Sequence, residues 1–211
     1  MSSSNPQATS GPRGWHSRGY LSHFDAGDIP QSITFRLAGS IPRNLLCQWY
    51  EEAKLAGVGS TASDRARLRV EAYLNQGVGP TWLAIPEIAG LVESALLHFD
   101  GSRYRLHAWV IMPNHVHVVI SPLADATIPR IVASWKSFTA TRANALLQRS
   151  GAFWHEDYFD RFIRDERHFA AALHYVEQNP VEAGLCTQPE DWKFSSAGRR
   201  NAEHSAGRAR T

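Results

Sequence analysis

The stretch that decides the fold is Met112-Pro113-Asn114-His115-Val116-His117-Val118-Val119-Ile120, in which two histidines flank a valine inside an apolar run. Such a run predicts a buried β-strand. Because side chains alternate between the two faces of a strand, His115 and His117 should share one face. Val116, Val118 and Ile120 should point to the other face. Two neutral imidazoles on one face of a rigid strand form half of a divalent-metal site. The alternative is a pair of structural histidines that hydrogen-bond within the sheet.

Around this strand, the order of predicted elements favours an α+β fold. An apolar run from Tyr104 to Ile111 precedes the Pro113-Asn114 turn, so the two strands should pair as a hairpin. A last helix over 167–178 should end at Asn179, because the residue before Pro180 disfavours the α conformation. The remaining elements are a strand over 32–37, helices over 44–56, 64–76, 86–99 and 128–148, and an extended segment over 153–163. This order predicts an antiparallel sheet covered by helices.

Length and composition indicate one globular domain. The chain has 211 residues, of which 43% are hydrophobic and 20% are charged; both fractions are ordinary for a globular protein. We expect the domain to span 15–197, after a disordered Ser/Pro/Gly-rich segment over 1–14 and before a basic, disordered tail over 198–211. The tail is either a solvated end or an arm that binds phosphates.

Charge and cysteine content point to a cytoplasmic protein with an anionic partner. The net charge is +2 and the sequence pI is about 8.7, which favours an anionic partner only weakly. No apolar run approaches the ~20 residues of a membrane-spanning helix, so we expect no membrane partner. Cys47 and Cys186 are too few and too far apart for a disulfide scaffold or a zinc site.

The predicted last helix carries a tyrosine and an asparagine on one stripe. At about 100° per residue, Phe169, Leu173 and Val176 form the natural core face of this helix. Tyr175 and Asn179 fall about a quarter turn away from that face. A phenol placed there fits a cleft better than the core.

These residue types suit chemistry on nucleic-acid phosphates. Phosphodiester cleavage needs a nucleophile and an electrophilic clamp on the non-bridging oxygens. Two imidazoles and one amide oxygen fill part of the coordination sphere of a divalent ion and leave positions open. Tyrosine is a weak nucleophile at neutral pH, because its pKa is near 10. Its covalent phosphotyrosine product conserves bond energy, so a later 3′-hydroxyl can rejoin the DNA.

The motifs together resemble the REP-associated tyrosine transposases of the HUH single-tyrosine group, in which U is a hydrophobic residue. The resemblance rests on Pro113-Asn114-His115-Val116-His117, followed by the run Tyr175-Val176-Glu177-Gln178-Asn179-Pro180-Val181-Glu182-Ala183-Gly184-Leu185. It extends over about 15–197 through further stretches, namely Arg18-Gly19-Tyr20-Leu21, Phe24-Asp25, Trp135-Lys136-Ser137, Phe153-Trp154, Asp157 to Arg161 and Ile163 to Glu166.

The resemblance implies a role for each of four residues. His115 and His117 would be two metal ligands, Asn179 the third, and Tyr175 the nucleophile. Related insertion-sequence enzymes usually present Gln at the position of Asn179. Adjacent Gln178 points about 100° away on the helix, so Asn179 is the preferred ligand.

The resemblance also implies the cofactor, the partner and the fold. The fold would be ferredoxin-like, with the HUH motif on a central strand. Mg²⁺ or Mn²⁺ would be bound, and the substrate would be single-stranded DNA with hairpin repeats, cleaved to a 5′-phosphotyrosine and a free 3′-hydroxyl. Relatives of this kind occur as monomers and as homodimers, and the protein would be associated with a bacterial nucleoid.

Several residues have alternative interpretations. Tyr158 is a rival nucleophile, but its aromatic neighbours favour packing. Asn179 has the alternative role of a helix cap. His168 is either an aid to proton transfer or simply exposed, and His107 on the paired strand is expected to be structural.

Seven residues are candidates for DNA contact. Trp135, Lys136 and Arg142 would follow a DNA backbone and stack unpaired bases, or would belong to an amphipathic helix that packs Trp135 inward. The resemblance places the N-terminal stretch near DNA, whereas physical reasoning predicts only a loop there. The full set is Arg18, Tyr20, Trp135, Lys136, Arg142, Arg161 and Arg164.

The leading hypothesis is a metal-dependent single-stranded DNA endonuclease and strand transferase. A catalytically lapsed, domesticated protein that only binds hairpin DNA is the alternative. A metal-dependent hydrolase of small molecules is a third class. The distribution of basic residues along the chain mildly disfavours it.

Overall fold

The computed structural model describes residues 14–18, 21–25, 27–55, 60–123 and 125–208. In chain order, the described elements are β1 (Gly14–Arg18), β2 (Leu21–Asp25), β3 (Gln31–Arg36), α1 (Arg43–Leu55), α2 (Ser60–Asn75), α3 (Pro86–His98), β4 (Tyr104–Ile111), β5 (His115–Pro122), α4 (Ile128–Leu146), β6 (Phe159–Phe162), α5 (Glu166–Glu182) and α6 (Ser196–Arg208). None of the helices within these ranges is long and apolar enough to cross a membrane.

The main sheet has four antiparallel strands in the order β4-β5-β3-β6, and β1 and β2 form a separate antiparallel pair. The predicted hairpin of β4 and β5 is present. β5 is therefore a central strand, paired on its other side with β3, where His115 lies opposite Arg36 and His117 opposite Thr34. The predicted α+β fold, an antiparallel sheet covered by helices, is confirmed.

The two faces of β5 separate as strand alternation predicts. Val116, Val118 and Ile120 are fully buried in the larger core, which the apolar sides of α3 and α4 complete. Val119, on the histidine face, packs instead in a second core with Val176 of α5. The histidines therefore lie between the sheet and the tyrosine helix.

Helix α5 continues through Pro180, contrary to the prediction that it ends at Asn179. It begins at Glu166, after the cap residue Asp165, whose side chain accepts the His168 backbone N–H, and it ends at Glu182. A proline inside a helix removes one backbone hydrogen bond, and here it does so in the last turn. Burial of Pro180 and the hydrogen bond from Leu185 N–H to its carbonyl stabilise the continued helix.

A helix also replaces most of the predicted disordered tail. The Ser195 hydroxyl accepts the Gly198 backbone N–H, as a helix cap does. Arg200 of α6 pairs with Glu177 of α5 at 2.7 Å, and Arg199 pairs with Glu203 one turn along α6. The structure therefore has a helix over 198–208, where the composition of the sequence predicts a disordered tail.

Two shorter differences concern the sheet edge and the N-terminal stretch. Only Phe159–Phe162 of the extended segment predicted over 153–163 pairs as a strand, with β3. Arg18, predicted to lie in a loop, is the last residue of β1. Tyr20 and the tail residues 209–211 lie outside the described residues.

Candidate functional site

The two histidines of β5 point their Nε2 atoms at each other across 2.9 Å. The opposite ring nitrogen of each is already engaged. Nδ1 of His115 lies 2.6 Å from Oδ1 of Asn114, and Nδ1 of His117 lies 2.8 Å from the Thr34 hydroxyl. Because an amide oxygen only accepts hydrogen bonds, His115 donates through Nδ1, and its Nε2 carries the lone pair.

Both rings are held in the neutral form. Burial lowers the pKa of His115 to about 3 and holds the pKa of His117 well below its ordinary value. A positive charge on His115, were it protonated, and the charge of Arg67 would both oppose protonation of His117 and so lower its pKa further. Neutral imidazole is the form that binds a metal ion.

Tyr175 projects from α5 against this pair. Its ring lies edge-to-face with His117 at a centroid distance of 5.5 Å. The residue is half-buried, and α5 packs on both β4 and β5. Burial, followed by the charge of nearby Glu71, raises the pKa of the Tyr175 phenol, so the resting phenol is protonated.

Asn179 lies one helical turn beyond Tyr175 and is fully buried. The amide lies close enough to the phenol to favour its ionised form. Neither amide atom has a hydrogen-bond partner of good geometry within the described part of the chain. A buried amide without such a partner is costly, so its oxygen is available to a ligand.

The donor set fits a divalent ion held by two imidazoles and one amide oxygen. Ligands about 2.1 Å from one ion and at right angles are about 3.0 Å apart, close to the 2.9 Å between the two Nε2 atoms. Among the residues described, no group of three His, Cys, Asp or Glu side chains could hold a metal ion. The resemblance implies that the Asn179 amide would be the third protein ligand.

The structure adds four residues that the sequence analysis did not single out. Thr34 and Asn114 hold the two metal-ligand candidates, while Glu71 and Arg67 of α2 lie beside Tyr175. The sequence signal for Glu71 and Arg67 was only the spacing of a helical ion pair, which is common on solvated helices. Their position at the site depends on how α2 packs.

Trp135 and Lys136, predicted to contact DNA or to pack, are engaged inside the protein. The Trp135 indole is 2% exposed, which is the packing alternative, and it donates to the Tyr104 hydroxyl at 2.9 Å. Lys136 donates to the backbone carbonyls of Glu156 and Asp157 at 2.8 and 3.4 Å. Burial lowers the pKa of Lys136 to about 8.

The arginine candidates lie nearer to solvent. Arg142 is exposed and stacks 3.8 Å over the Phe138 ring, which is itself 42% exposed. Arg161 and Arg164 lie on β6 and just before α5, and the charge of Arg161 reaches Glu71. Arg18 ends β1, its side chain lies outside the described residues, and so does all of Tyr20.

The rival site residues fall elsewhere. Tyr158 is buried in the larger core, as packing predicted. His107 binds the Ser121 hydroxyl through Nε2 at 2.8 Å, in keeping with a structural role. His168 is partly buried, and its Nδ1 accepts the Arg164 backbone N–H.

Comparison with known proteins finds similarity to the family that the motifs resemble. Residues 97–179 match the family model described as Transposase IS200 like, a segment that contains the two histidines, Tyr175 and Asn179. A curated Haemophilus influenzae protein with the provisional name REP-associated tyrosine transposase is 28% identical over 96 residues, or 41% of this chain and 54% of the relative. The resemblance to the REP-associated tyrosine transposases is confirmed.

A solved relative shows the same fold. The structure of a REP-associated tyrosine transposase bound to a REP hairpin matches with a TM-score of 0.51 and 16% identity, over 84% of this chain and 81% of that one. The chain spans about half the length of the curated relative that it matches.

Proposed function

We propose that this protein is a metal-dependent endonuclease and strand transferase of single-stranded DNA that cleaves near hairpin repeats through a 5′-phosphotyrosine. One observation carries the proposal. The Tyr175 ring lies against His117, whose Nε2 converges with that of His115. A nucleophile and an electrophilic clamp are the two parts that phosphodiester cleavage needs.

Tyr175 supplies the covalent chemistry. Its phenolic oxygen attacks the phosphorus, the bond from phosphorus to the 3′-oxygen breaks, and the 5′ end of the DNA stays linked to the tyrosine. The phenol loses its proton in this step and the departing 3′-oxygen gains one. Attack by another 3′-hydroxyl reverses the step and transfers the strand.

His115, His117 and Asn179 are the residues that would hold Mg²⁺ or Mn²⁺. When bound, the ion supplies charge stabilisation at the non-bridging oxygens of the phosphate. The protein prepares for this in two ways. It buries both imidazoles in the neutral form, and it leaves the Asn179 amide without a well-formed hydrogen bond among the described residues.

Arginines near Tyr175 support a nucleic-acid substrate. The charge of Arg67 acts on the Tyr175 phenol, and the charges of Arg67 and Arg161 both act on Glu71 and His168. Arg164 precedes the same helix. Cationic side chains next to the nucleophile can bind the phosphates that flank a cleavage point. The solved relative bound to a REP hairpin supports hairpin DNA as the partner, bound by a monomer or a homodimer.

A second candidate function is binding of hairpin DNA without cleavage. One observation favours it, namely the raised pKa of Tyr175, which keeps the resting phenol protonated. Against it, both imidazoles, the buried amide and the phenol are all in place, and a protein that only binds DNA does not need them.

One experiment separates the two functions. The protein is incubated with Mn²⁺ and labelled single-stranded hairpin oligonucleotides taken from repeats that flank its gene, and the products are separated on a denaturing gel. A scrambled hairpin of equal length is the control. A DNA-linked protein band supports the proposed enzyme, and specific binding without cleavage supports the second candidate. Neither binding nor cleavage would contradict both.

A further inference from the structure

Helix α2 places a buried carboxylate next to the candidate nucleophile. Glu71 is only 5% exposed. It pairs with Arg67 one turn earlier at 2.9 Å, and the charge of Arg161 faces it from β6. Burying a carboxylate costs free energy unless it is paired and hydrogen-bonded. The location of Glu71 inside the site therefore requires an explanation beyond the stability of α2.

The Tyr175 phenol lies close enough to Glu71 for each group to affect the pKa of the other. An ionised carboxylate only accepts hydrogen bonds, so in a hydrogen bond between these two groups the phenol would donate. Glu71 and His117 therefore lie beside the same tyrosine, and the rings of His117 and Tyr175 pack edge-to-face.

Helix α2 is itself fastened to the histidine strand. Nδ2 of Asn114 donates to the carbonyls of Leu74 and Val78, at 3.0 and 3.4 Å. Oδ1 of the same amide binds His115. Because Leu74 lies one turn beyond Glu71, one asparagine ties the position of Glu71 to that of the candidate metal ligands. Leu74 and Val70 also anchor α2 in a small apolar core.

We propose that Glu71 is a positioning residue, whose carboxylate holds the Tyr175 hydroxyl in the orientation from which it attacks the phosphate. The proposal rests on the proposed function of Tyr175 as nucleophile. Arg67 keeps the carboxylate in place, and Asn114 keeps α2 in place. The competing interpretation is a helix ion pair that stabilises α2 and has no effect on the phenol.

Two substitutions of Glu71 separate these interpretations. Glu71→Met keeps the length and tolerates burial but cannot accept a hydrogen bond, whereas Glu71→Gln keeps an acceptor oxygen. Glu52→Met is the matched control. Glu52 of α1 also pairs with an arginine of α2, Arg69, but both of these side chains are largely in solvent. Thermal unfolding establishes that each variant is folded.

Single-turnover cleavage of the Mn²⁺-loaded protein at saturating hairpin DNA is the first readout. A misplaced nucleophile costs roughly 10- to 100-fold in rate. We expect a loss of that size in Glu71→Met, unchanged hairpin Kd, and most of the rate restored in Glu71→Gln. Wild-type rates in Glu71→Met would overturn the proposal, and so would equal losses in both variants. If the wild-type protein does not cleave, the proposed function fails and the second readout decides on Glu71.

The second readout needs neither metal nor DNA. The protein contains six tyrosines, and ring-¹³C labelling gives one NMR signal for each, with that of Tyr175 identified by its absence in Tyr175→Phe. Glu71→Met should move this signal, and Glu52→Met should not. In the reciprocal direction, Tyr175→Phe should shift the carboxyl carbon of Glu71, a test that holds even if Glu71→Met does not fold. Unmoved signals in the folded variants would overturn the proposal.

Discussion

His115 and His117 face each other through their Nε2 atoms at 2.9 Å, with both Nδ1 atoms engaged by other side chains. Because Nε2 of His115 carries the lone pair, Nε2 of His117 donates across this gap, and a divalent ion bound by both rings would replace this hydrogen bond. The arrangement is built entirely from hydrogen bonds between β3, β5 and the turn before β5, so it exists before any substrate binds.

The first prediction concerns metal binding without DNA. His115→Ala and His117→Ala should each abolish the binding of one Mn²⁺ ion. Titration calorimetry, or the electron paramagnetic resonance signal of the free ion, measures this binding. His107→Ala is the control, because His107 lies on the neighbouring strand and binds Ser121. Unchanged Mn²⁺ affinity in the β5 variants would contradict the metal assignment.

The second prediction concerns the hydroxyl that orients His117. Thr34→Val removes the partner of Nδ1 at 2.8 Å and keeps the branched shape. Loss of a residue that orients a metal-bound histidine typically lowers metal affinity 10- to 100-fold, so a loss of that order is expected for Mn²⁺. Ser32→Ala, two residues away on β3, should leave the affinity unchanged. Equal Mn²⁺ affinities for the wild-type, Thr34→Val and Ser32→Ala proteins would show that Thr34 does not orient His117 for metal binding.

The sequence predicted the parts of the site that depend on local periodicity. The shared face of His115 and His117 follows from the period of a strand, and the offset of Tyr175 from the core face of α5 follows from the period of a helix. It did not predict Glu71 or Thr34, because their contacts join elements that are far apart in the chain. Pro180 shows a further limit, since a local bias against helix is outweighed where the residue is buried.

The third prediction separates packing from DNA contact on α4. Trp135→Phe leaves a cavity and removes the hydrogen bond to Tyr104, which should lower the free energy of unfolding by about 2 kcal/mol without changing the Kd for hairpin DNA. Arg142→Ala should weaken hairpin binding and leave the free energy of unfolding nearly unchanged, because Arg142 is exposed beside Phe138. Denaturant unfolding and a fluorescence binding titration measure the two quantities. Weakened hairpin binding in Trp135→Phe, with its fold intact, would contradict the packing assignment.

The fourth prediction concerns acid stability. Burial, followed by the charge of Arg36, lowers the pKa of His155 from 6.5 to about 4, with Lys136 adding to the effect and Asp157 opposing it. Below pH 6.5 the unfolded chain therefore binds a proton that the folded chain refuses, so the free energy of unfolding falls as the pH drops towards about 4. Above pH 6.5 this histidine contributes no pH dependence.

His155→Gln should make that decline shallower. One proton limits the slope to about 1.4 kcal/mol per pH unit, and solvent that reaches part of the ring makes the real value smaller. Exposed His98 offers the control substitution, His98→Gln. Denaturant unfolding between pH 4 and 7 measures the slopes, and an unchanged slope in His155→Gln would count against the assignment.

The central claim is that Tyr175 becomes covalently linked to DNA, and the most direct measurement locates that linkage. The Mn²⁺-loaded protein is incubated with labelled hairpin oligonucleotides, and mass spectrometry of the digested complex identifies the DNA-bearing peptide in wild-type, Tyr175→Phe and Tyr158→Phe proteins. Tyr158 lies in the larger core, so its variant should still form the linkage. The account predicts DNA on the peptide of Tyr175, no linkage in Tyr175→Phe, and unchanged hairpin affinity in that variant. A linkage that persists in Tyr175→Phe would contradict it.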